Sequence, residues 1–464
     1  MDYSSTQDVA VKTLDWNFST TEVFGHFAEH KWAVLLDSAN AEHPNARYDI
    51  MSYSPVATLV TRGELTEITH INATGEKNLL CSREDPFSLL ARTIKHYFPI
   101  SQSVNLPFSG GALGSFSYDL GRRVESLPHI ARQDIALPEM NVGLYTWALI
   151  YDRCETQWSL VHYHGSAALE STLAEIESQL SVAPTHTHFS LTHDWQPQIS
   201  QHDYSEKFDT VQRYLHSGDC YQINLTQRFD AQYQGDEWQA YLKLRASNKA
   251  PFSAFIRLPQ HSILSISPER FIQLNGSDIE TKPIKGTLPR SSDPVLDKLA
   301  AATLAASEKD RAENVMIVDL LRNDIGKVAQ AGSVGVPHLF DIESFPAVHH
   351  LVSTVTAKLD SRYSGCDLLR AAFPGGSITG APKIRAMEII EELEPSRRSI
   401  YCGTIGYISQ DGKMDTNITI RTLVTEDQHI YCWAGGGIVA DSNVDAEYQE
   451  SYDKVSRILP ILSK

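Results

Sequence analysis

The sequence has few cysteines and no long apolar run, and these shortages exclude several classes of protein. Its six cysteines form no Cys-x-x-Cys pair, so a zinc ribbon or a dithiol redox site is not expected. Free thiols in a reducing cytoplasm are the simplest account. No stretch approaches the ~18 consecutive apolar residues of a membrane span, and the polar, acidic residues 1–5 are unlike a signal peptide. We therefore predict a cytoplasmic protein.

Positive charge is also scarce. Lysine and arginine total 40 against 57 aspartates and glutamates, which leaves a formal net charge of −17. This balance argues against nucleic acid or an anionic membrane surface as a partner. A small anionic substrate would need local cations or a metal. The 464 residues, 42% of them apolar, are enough for one large domain or for two to three ordinary ones.

The spacing of apolar residues predicts helices and strands in no regular alternation. Phe87, Leu90 and Ile94 recur at helical intervals, whereas residues 417–424 alternate as a strand. In that strand Arg421 would point away from the isoleucine face. Because helices do not alternate with parallel strands, the pattern favours an α+β fold over α/β. Residues 181–200 lack periodicity and are the best linker candidate, so we predict an N-terminal region at 1–195 and a second region at 200–464.

Lys285 lies in a short strand pattern that breaks at Gly286. Pro283 fixes one backbone angle before it, and Gly286 permits a sharp turn or a close approach to a ligand. A lysine in a partly desolvated site loses its proton readily and can act as a base or nucleophile. An ordinary edge-strand lysine at a turn is the alternative.

Two acidic helices predict a second chemical feature. Asp310 and Glu313 are three residues apart and share a helix face. Near the C-terminus, Glu447, Glu450 and Lys454 also share one face. Carboxylate pairs that face each other across a cleft would form an oxygen-only Mg²⁺ site. The alternative is two solvated helix faces, with Glu450 and Lys454 as a routine surface ion pair.

A glycine-rich loop at residues 374–383 leads into a helical segment, so its free amides could hold an anion. The alternative is a glycine-rich turn. The glycines at 435–437 likewise allow backbone amides close to a ligand, or form a simple strand kink. Arg421 suits a bidentate grip on a carboxylate, whereas His350 could equally be a structural histidine.

Four separated motifs make the chain resemble the chorismate-utilising enzymes. They are Pro-Ile-Lys-Gly-Thr, Asp-Leu-Leu-Arg-Asn-Asp, Gly-Ala-Pro-Lys and Gly-Gly-Gly-Ile-Val. The resemblance is dense over residues 200–464 and loose before them. It implies a large antiparallel β-sandwich with helices packed outside. Lysine at position 285 is typical of the branch that aminates chorismate at C4, whereas the anthranilate-forming branch usually has alanine there.

The resemblance also implies a role for each candidate residue. Lys285 would be the nucleophile and Glu269 the general acid. Glu313 and Glu450 would bind Mg²⁺ directly, and Asp310 and Glu447 mainly through water. The implied substrate-binding residues are Arg421, Tyr401, Lys454, Ser377, Gly436, Gly437, His350 and Thr287.

The implied partners are chorismate, ammonia and a glutamine amidotransferase subunit, component 2, because this chain has no Gly-x-Cys-x-Gly nucleophile motif. Ser38, Ser52 and Ser54 are candidates for a tryptophan pocket, although they could simply be polar residues that interrupt a strand. Two rival functions remain open here. One is that of anthranilate synthase component 1, and the other is that of a non-catalytic subunit that binds chorismate or tryptophan.

Overall fold

A computed structural model describes residues 8–72, 74–345 and 348–463. The helices are α1 (Thr20–Gly25), α2 (Pro86–Tyr97), α3 (Gly165–Leu180), α4 (Gln201–Ser217), α5 (Glu237–Asn248), α6 (Pro294–Ala306), α7 (Glu308–Gly326), α8 (Gly365–Ala372), α9 (Lys383–Leu393), α10 (Val444–Val455) and α11 (Leu459–Leu462). Two short 3₁₀ helices span Tyr118–Arg123 and Gly376–Ile378.

The strands of the first half are β1 (Ala10–Leu14), β2 (Ala33–Asp37), β3 (Tyr48–Ser52), β4 (Ala57–Arg62), β5 (Leu65–Ile71), β6 (Lys77–Ser82), β7 (Gly111–Phe116), β8 (Met140–Tyr145), β9 (Trp147–Asp152), β10 (Gln157–His162), β11 (Ser190–Leu191) and β12 (Gln196–Pro197). Those of the second half are β13 (Gln222–Gln234), β14 (Phe252–Arg257), β15 (His261–Ser267), β16 (Arg270–Asn275), β17 (Asp278–Thr281), β18 (Ile284–Pro289), β19 (Gly335–Ser344), β20 (Val348–Lys358), β21 (Gly380–Ala381), β22 (Thr404–Ser409), β23 (Met414–Asn417), β24 (Thr422–Glu426) and β25 (His429–Ile438).

These strands form two large sheets. The larger has 13 strands, and its main path runs β1-β10-β9-β3-β2-β14-β15-β24-β25-β13-β11. The other has 12 strands, in the order β18-β20-β17-β16-β23-β22-β7-β8-β4-β5-β6. Pairings between neighbouring strands are antiparallel, as in β13 with β25 and β18 with β20. The predicted α+β antiparallel sandwich is confirmed.

Both sheets combine strands from the two halves of the chain. In the larger sheet β2 pairs with β14, and in the smaller sheet β7 pairs with β22. Within residues 181–200, β11 and β12 both pair with β13. The division near residue 195 therefore crosses continuous sheets, and any separation of roles between the halves stays a proposal.

The main hydrophobic core lies between the sheets. It contains Val34 and Ile263 from the larger sheet and Leu59 and Leu113 from the smaller one. Helices α1, α3, α5 and α11 cover the opposite face of the larger sheet through a second core. A third, smaller core joins α4, α9 and α10 to β13 and β25. Burial of this apolar surface is the main favourable contribution to folding.

The chain crosses from one sheet to the other at two neighbouring places. One crossing joins β15 to β16 at Pro268 and Glu269. The other joins β23 to β24 across residues 418–421. The Ile418 amide donates to the Glu269 carbonyl at 3.0 Å, so the two crossings lie side by side.

The second crossing corrects a prediction. Residues 417–424 are not one alternating strand, because β23 ends in the smaller sheet and β24 begins in the larger one. Arg421 takes a positive φ of 51° in the gap. The alternation of polar and apolar residues reflects a turn between two buried sheets, and a periodic pattern cannot distinguish this from a continuous strand.

None of the helices formed by the described residues combines the length and apolarity needed to cross a membrane.

Candidate active site

Lys285 lies at an irregularity in the edge strand β18. The pairing of β18 with β20 shifts in register between Ile284 and Thr287, and such bulges re-aim side chains. Gly286 has a φ of +82°, and a Cβ there would lie 2.8 Å from both Asp310 Cγ and Leu304 Cδ1. Glycine is therefore required next to Lys285 by backbone conformation and by the close approach of α6 and α7.

Ser377 connects the predicted nucleophile and acid. Its carbonyl accepts a hydrogen bond from Lys285 Nζ at 3.3 Å. Its hydroxyl donates to Glu269 Oε1 at 3.3 Å. The same carbonyl accepts from Asn224 Nδ2, also at 3.3 Å. The glycine-rich loop thus brings Lys285, Glu269 and the start of β13 to one point.

Burial shifts both reactive groups toward their neutral forms. It raises the pKa of Glu269 to about 7, against the lowering effect of Lys285, Ser377 and Lys454. Burial likewise lowers the pKa of Lys285, and the negative charges of Glu313 and Glu269 oppose this shift. A carboxylic acid that keeps its proton and an amine that loses its own are the states that general acid and nucleophile require.

The four acidic residues lie on two helices, α7 and α10, that face the same cleft. Asp310 and Glu313 are on α7, and Glu447 and Glu450 are on α10. A Cβ on Gly436 would lie 3.0 Å from Glu447 Oε2 and 3.0 Å from Glu450 Oε1, so both carboxylates lie next to that glycine. The Asn443 side chain caps α10 and fixes where the helix begins.

The electrostatics of these carboxylates fit a divalent cation. Burial raises the pKa of Glu313, and the negative charges of Asp310 and Glu447 add to this effect. Burial raises the pKa of Glu447 as well, and Glu450 contributes in the same direction. Partly buried carboxylates that repel one another are stabilised by a shared hard cation, and an all-oxygen donor set suits Mg²⁺.

A more compact group of potential ligands lies elsewhere and is a poorer cation site. Among the described residues, Glu29, His186 and Asp236 bring three ligand atoms within 4.8 Å of one another. Asp236, however, already accepts from Arg257 at 2.7 Å and bonds His186 Nδ1 at 2.7 Å. Its charge is neutralised within the protein. The carboxylates of α7 and α10 are not as closely grouped in the part of the chain that is described.

Arg421 has no carboxylate partner among the described residues. Its side chain is exposed, yet the protein around it partly desolvates the guanidinium and so lowers its pKa, and the nearby Arg457 lowers it further. An arginine in this state can gain a bidentate contact with an incoming carboxylate. Arg421 also lies close enough to His350 to lower the pKa of that imidazole, which burial and Arg421 together bring to about 4.

The remaining candidates surround the same cleft. His350 Nδ1 is 2.8 Å from Thr287 Oγ1. Lys454 Nζ pairs with Glu450 at 2.7 Å and donates to the Gly435 carbonyl at 2.7 Å. Tyr401 is buried and stacks on Trp433, with ring centroids 6.0 Å apart.

The three serines of the N-terminal region differ in their surroundings, and their assignment to a tryptophan pocket stays a prediction. Ser38 donates to Asp49 and Ser52 to the Trp147 carbonyl, and Ser54 is exposed. A separate cavity of about 410 Å³ lies between the sheets near them, and none of the three lines it. Its walls include Leu36, Tyr48, Ser253, Arg270 and Asp415.

Sequence reasoning did not assign Asn224 to the site. Its position in the sequence alone does not show where the side chain points. The contact of Asn224 with the Ser377 carbonyl depends on a long-range pairing of the glycine-rich loop with β13, which is not visible locally.

The fold and the cleft agree with the match of this chain to a known protein family. The profile of the chorismate binding enzyme family matches residues 34–460, and the chain belongs to this family. It is 55% identical over 457 residues to aminodeoxychorismate synthase component 1 of Escherichia coli strain K12, with 98% of this chain and 99% of that protein covered.

Two further comparisons agree with this placement. The chain is 55% identical over 451 residues to aminodeoxychorismate synthase component 1 of Salmonella typhimurium strain LT2, covering 97% of each. It also resembles the crystal structure of anthranilate synthase component I from Streptococcus pneumoniae TIGR4, with a TM-score of 0.78 and 32% identity over 90% of this chain and 93% of that one. The chain is thus more similar to the first two proteins than to the anthranilate-forming one.

Proposed function

We propose that the chain is the chorismate-aminating subunit of 4-amino-4-deoxychorismate synthase, which makes the precursor of para-aminobenzoate for folate synthesis. The observation that carries this proposal is the arrangement of Lys285 and Glu269 on either side of Ser377, with opposite shifts in pKa. The high identity to proteins of that name supports it.

Substrate binding follows from the unbalanced charges of the cleft. Chorismate is a dianion, and Arg421 and Lys454 would neutralise its carboxylates. Gly436 and Gly437 leave space at the substrate, since a side chain at either position would meet neighbouring side chains at 3.0 Å or less. His350, Thr287 and Tyr401 would line the side of the cleft where the leaving group departs.

Glu313 and Glu450 would hold Mg²⁺ directly, and Asp310 and Glu447 would act mainly through water. When bound, the cation would neutralise a substrate carboxylate and draw electron density from the ring. The raised pKa values of Glu313 and Glu447 support this assignment, because burial and then repulsion between the carboxylates raise them, and a cation would offset both effects.

In the first displacement the neutral amine of Lys285 forms a bond to C2 of chorismate. Both ring double bonds shift, from C1=C2 and C5=C6 to C1=C6 and C4=C5, and the C4 hydroxyl leaves as water after Glu269 gives it a proton. Glu269 is left as a carboxylate next to a newly cationic lysine nitrogen. The Ser377 hydroxyl, which already donates to Glu269, would stabilise that carboxylate.

In the second displacement ammonia forms a bond to C4 and the bond between C2 and Lys285 breaks. Both ring double bonds return to their first positions, the lysine leaves as a neutral amine, and a proton of the new C4 ammonium group returns to Glu269. The ammonia would come from glutamine through a separate amidotransferase subunit. The net change replaces the C4 hydroxyl by an amino group.

A product assay tests the proposal. The purified chain is incubated with chorismate, Mg²⁺ and either ammonium or glutamine, and the products are separated by chromatography. We expect 4-amino-4-deoxychorismate with ammonium and no turnover with glutamine. Anthranilate as the main product would assign the chain to the rival branch, and the absence of any product would favour a binding subunit.

The cavity between the sheets is the better candidate for a tryptophan site than the three serines. Its volume, about 410 Å³, and its mixed apolar and charged walls suit an aromatic amino acid. Asp37 lines it and could pair with an ammonium group, although it also bonds Arg245. The N-terminal region would then contribute a binding function, while the second region contributes the chemistry.

A further inference from the structure

Gln222 carries a buried side-chain amide. The residue is only 1% exposed, and neither Oε1 nor Nε2 has a hydrogen-bond partner among the described residues. Burial of an amide without partners costs free energy, so a native protein rarely keeps one without a reason. The absence of partners points to a ligand that supplies them.

The amide lies against a glycine of the cleft. A Cβ on Gly437 would be 2.1 Å from Gln222 Nε2 and 3.0 Å from Asn224 Oδ1. The Gln222 side chain therefore occupies the space that any other residue at position 437 would fill. Glycine at 437 is required by this amide, and so the two positions form one structural unit.

The direction of the amide is set by strand geometry. Gln222 and Asn224 are two residues apart on β13 and share a face of the sheet. Asn224 reaches the Ser377 carbonyl that also accepts from Lys285. Gln222 thus lies beside Asn224, which contacts the Ser377 carbonyl, and no group in the described part of the chain bonds to its own donor or acceptor.

We propose that Gln222 is a further substrate-contacting residue, whose side-chain amide makes its missing hydrogen bonds to polar groups of bound chorismate and so fixes the ring against Lys285. The contact with bound chorismate requires only that the chain binds chorismate. Its effect on the reaction that follows binding rests on the proposed function. An uncharged amide can donate to a carboxylate or ether oxygen through Nε2 and accept from a hydroxyl through Oε1. Its protonation does not change with pH, so it holds the substrate without competing for the protons of Lys285 or Glu269.

The test compares Gln222→Leu with a matched control, Gln410→Leu. Gln410 is also buried, but its Nε2 donates to Ser109 and to the Gln102 carbonyl far from the cleft. For each protein we would measure the melting temperature without ligand, the Kd for chorismate with Mg²⁺ and no ammonia, and kcat and KM with ammonium.

For Gln222→Leu we expect chorismate to bind about 10-fold more weakly, which corresponds to the loss of one or two hydrogen bonds. We expect its melting temperature to stay equal or rise by about 1–2 °C, since an unsatisfied amide is replaced by an apolar group of similar size. Gln410→Leu should show the opposite pattern, a lower melting temperature with unchanged Kd and KM.

An unchanged Kd in Gln222→Leu, with or without a lower melting temperature, would overturn the proposal and leave Gln222 a structural residue. Wild-type protein that does not bind chorismate would overturn it too. If wild-type protein binds chorismate but gives no C4-aminated product, the proposed function fails, yet the Kd comparison still decides the role of Gln222.

Discussion

The cleft around Lys285 and the cavity beside Asp37 both lie where the two sheets meet, but their charged groups are paired to different extents. In the cavity, Arg270 pairs with Asp415 through two contacts of 2.9 Å, and Asp37 pairs with Arg245 at 2.6 Å. In the cleft, Arg421 has no carboxylate partner among the described residues, and burial shifts the pKa of Lys285 and Glu269 toward neutrality.

This difference separates a region suited to binding from one suited to chemistry. Paired charges hold their protonation states and define the shape of a pocket, whereas unpaired and desolvated groups can change state during a reaction. A reacting substrate would add little stabilisation to the ion pairs inside the cavity. In the cleft, a substrate dianion and a cation would complete the charge balance.

The two sheet crossings explain why Glu269 and Arg421 have no ion-pair partner on a neighbouring strand. Glu269 lies at one crossing and Arg421 at the other, and the chain there belongs to neither ladder. Residues at such positions have no cross-strand partner. The fold therefore provides a place for reactive groups at the junction itself.

Replacement of Lys285 should have the largest effect. Lys285→Ala should slow formation of the C4-aminated product by about 10⁴-fold or more. It should also permit some amination at C2, because the group that blocks that carbon is gone. Lys285→Arg should be nearly inactive, since a guanidinium stays protonated. Product analysis by chromatography distinguishes these outcomes, and partial rescue by arginine without a C2 product would instead indicate a purely electrostatic role.

Loss of a carboxylate proposed to bind Mg²⁺ should have the second largest effect. Glu313→Gln or Glu450→Gln should reduce activity by about 10³-fold at limiting Mg²⁺ while the fold is retained. Calorimetric titration should show weakened Mg²⁺ binding. Asp319→Asn is the matched control, because it removes an exposed carboxylate of α7 that pairs with Arg322. Unchanged activity and Mg²⁺ affinity in both glutamine variants would remove them from a metal site.

Glu269→Gln should reduce kcat by about 10²-fold or more, the usual contribution of a general acid. It should also change the pH dependence of stability. The folded pKa of about 7 lies above the ordinary 4.5, so the wild type loses stability as the pH rises from about 4.5 through 7. The loss is about 3 kcal/mol at most. Urea unfolding at pH 5 and pH 8 should show the variant gaining relative stability at the higher pH, and a constant difference would contradict the raised pKa.

The smallest effect on catalysis should come from filling the cavity. Asn45 lines it, and Asn45→Trp should abolish tryptophan binding in a calorimetric titration. The value of kcat/KM for chorismate with ammonium should change by less than about 2-fold, because the cavity holds no reacting group. Glu42→Trp, an exposed substitution three residues away, is the control. A large loss of activity in Asn45→Trp alone would mean that the two regions are not functionally separate.

The sequence predicts the local parts of this arrangement well. Helical spacing identifies α2 and α10, and the motif around Lys285 marks a strand that breaks at Gly286. The prediction fails at residues 417–424, because a periodic pattern records which side chains are buried and not which sheet buries them. The same limit hides the contact between Asn224 and Ser377 and the interleaving of both halves in each sheet. Long-range strand pairing leaves no local signal.

A covalent bond between Lys285 and the substrate is the central feature of the proposed mechanism. Wild-type protein is incubated with chorismate and Mg²⁺ without ammonia, the reaction is quenched, and peptides are mapped by mass spectrometry. We predict an adduct on Lys285 with the mass of chorismate less one water. A well-populated adduct confined to another lysine, together with an active Lys285→Arg protein, would contradict the covalent role.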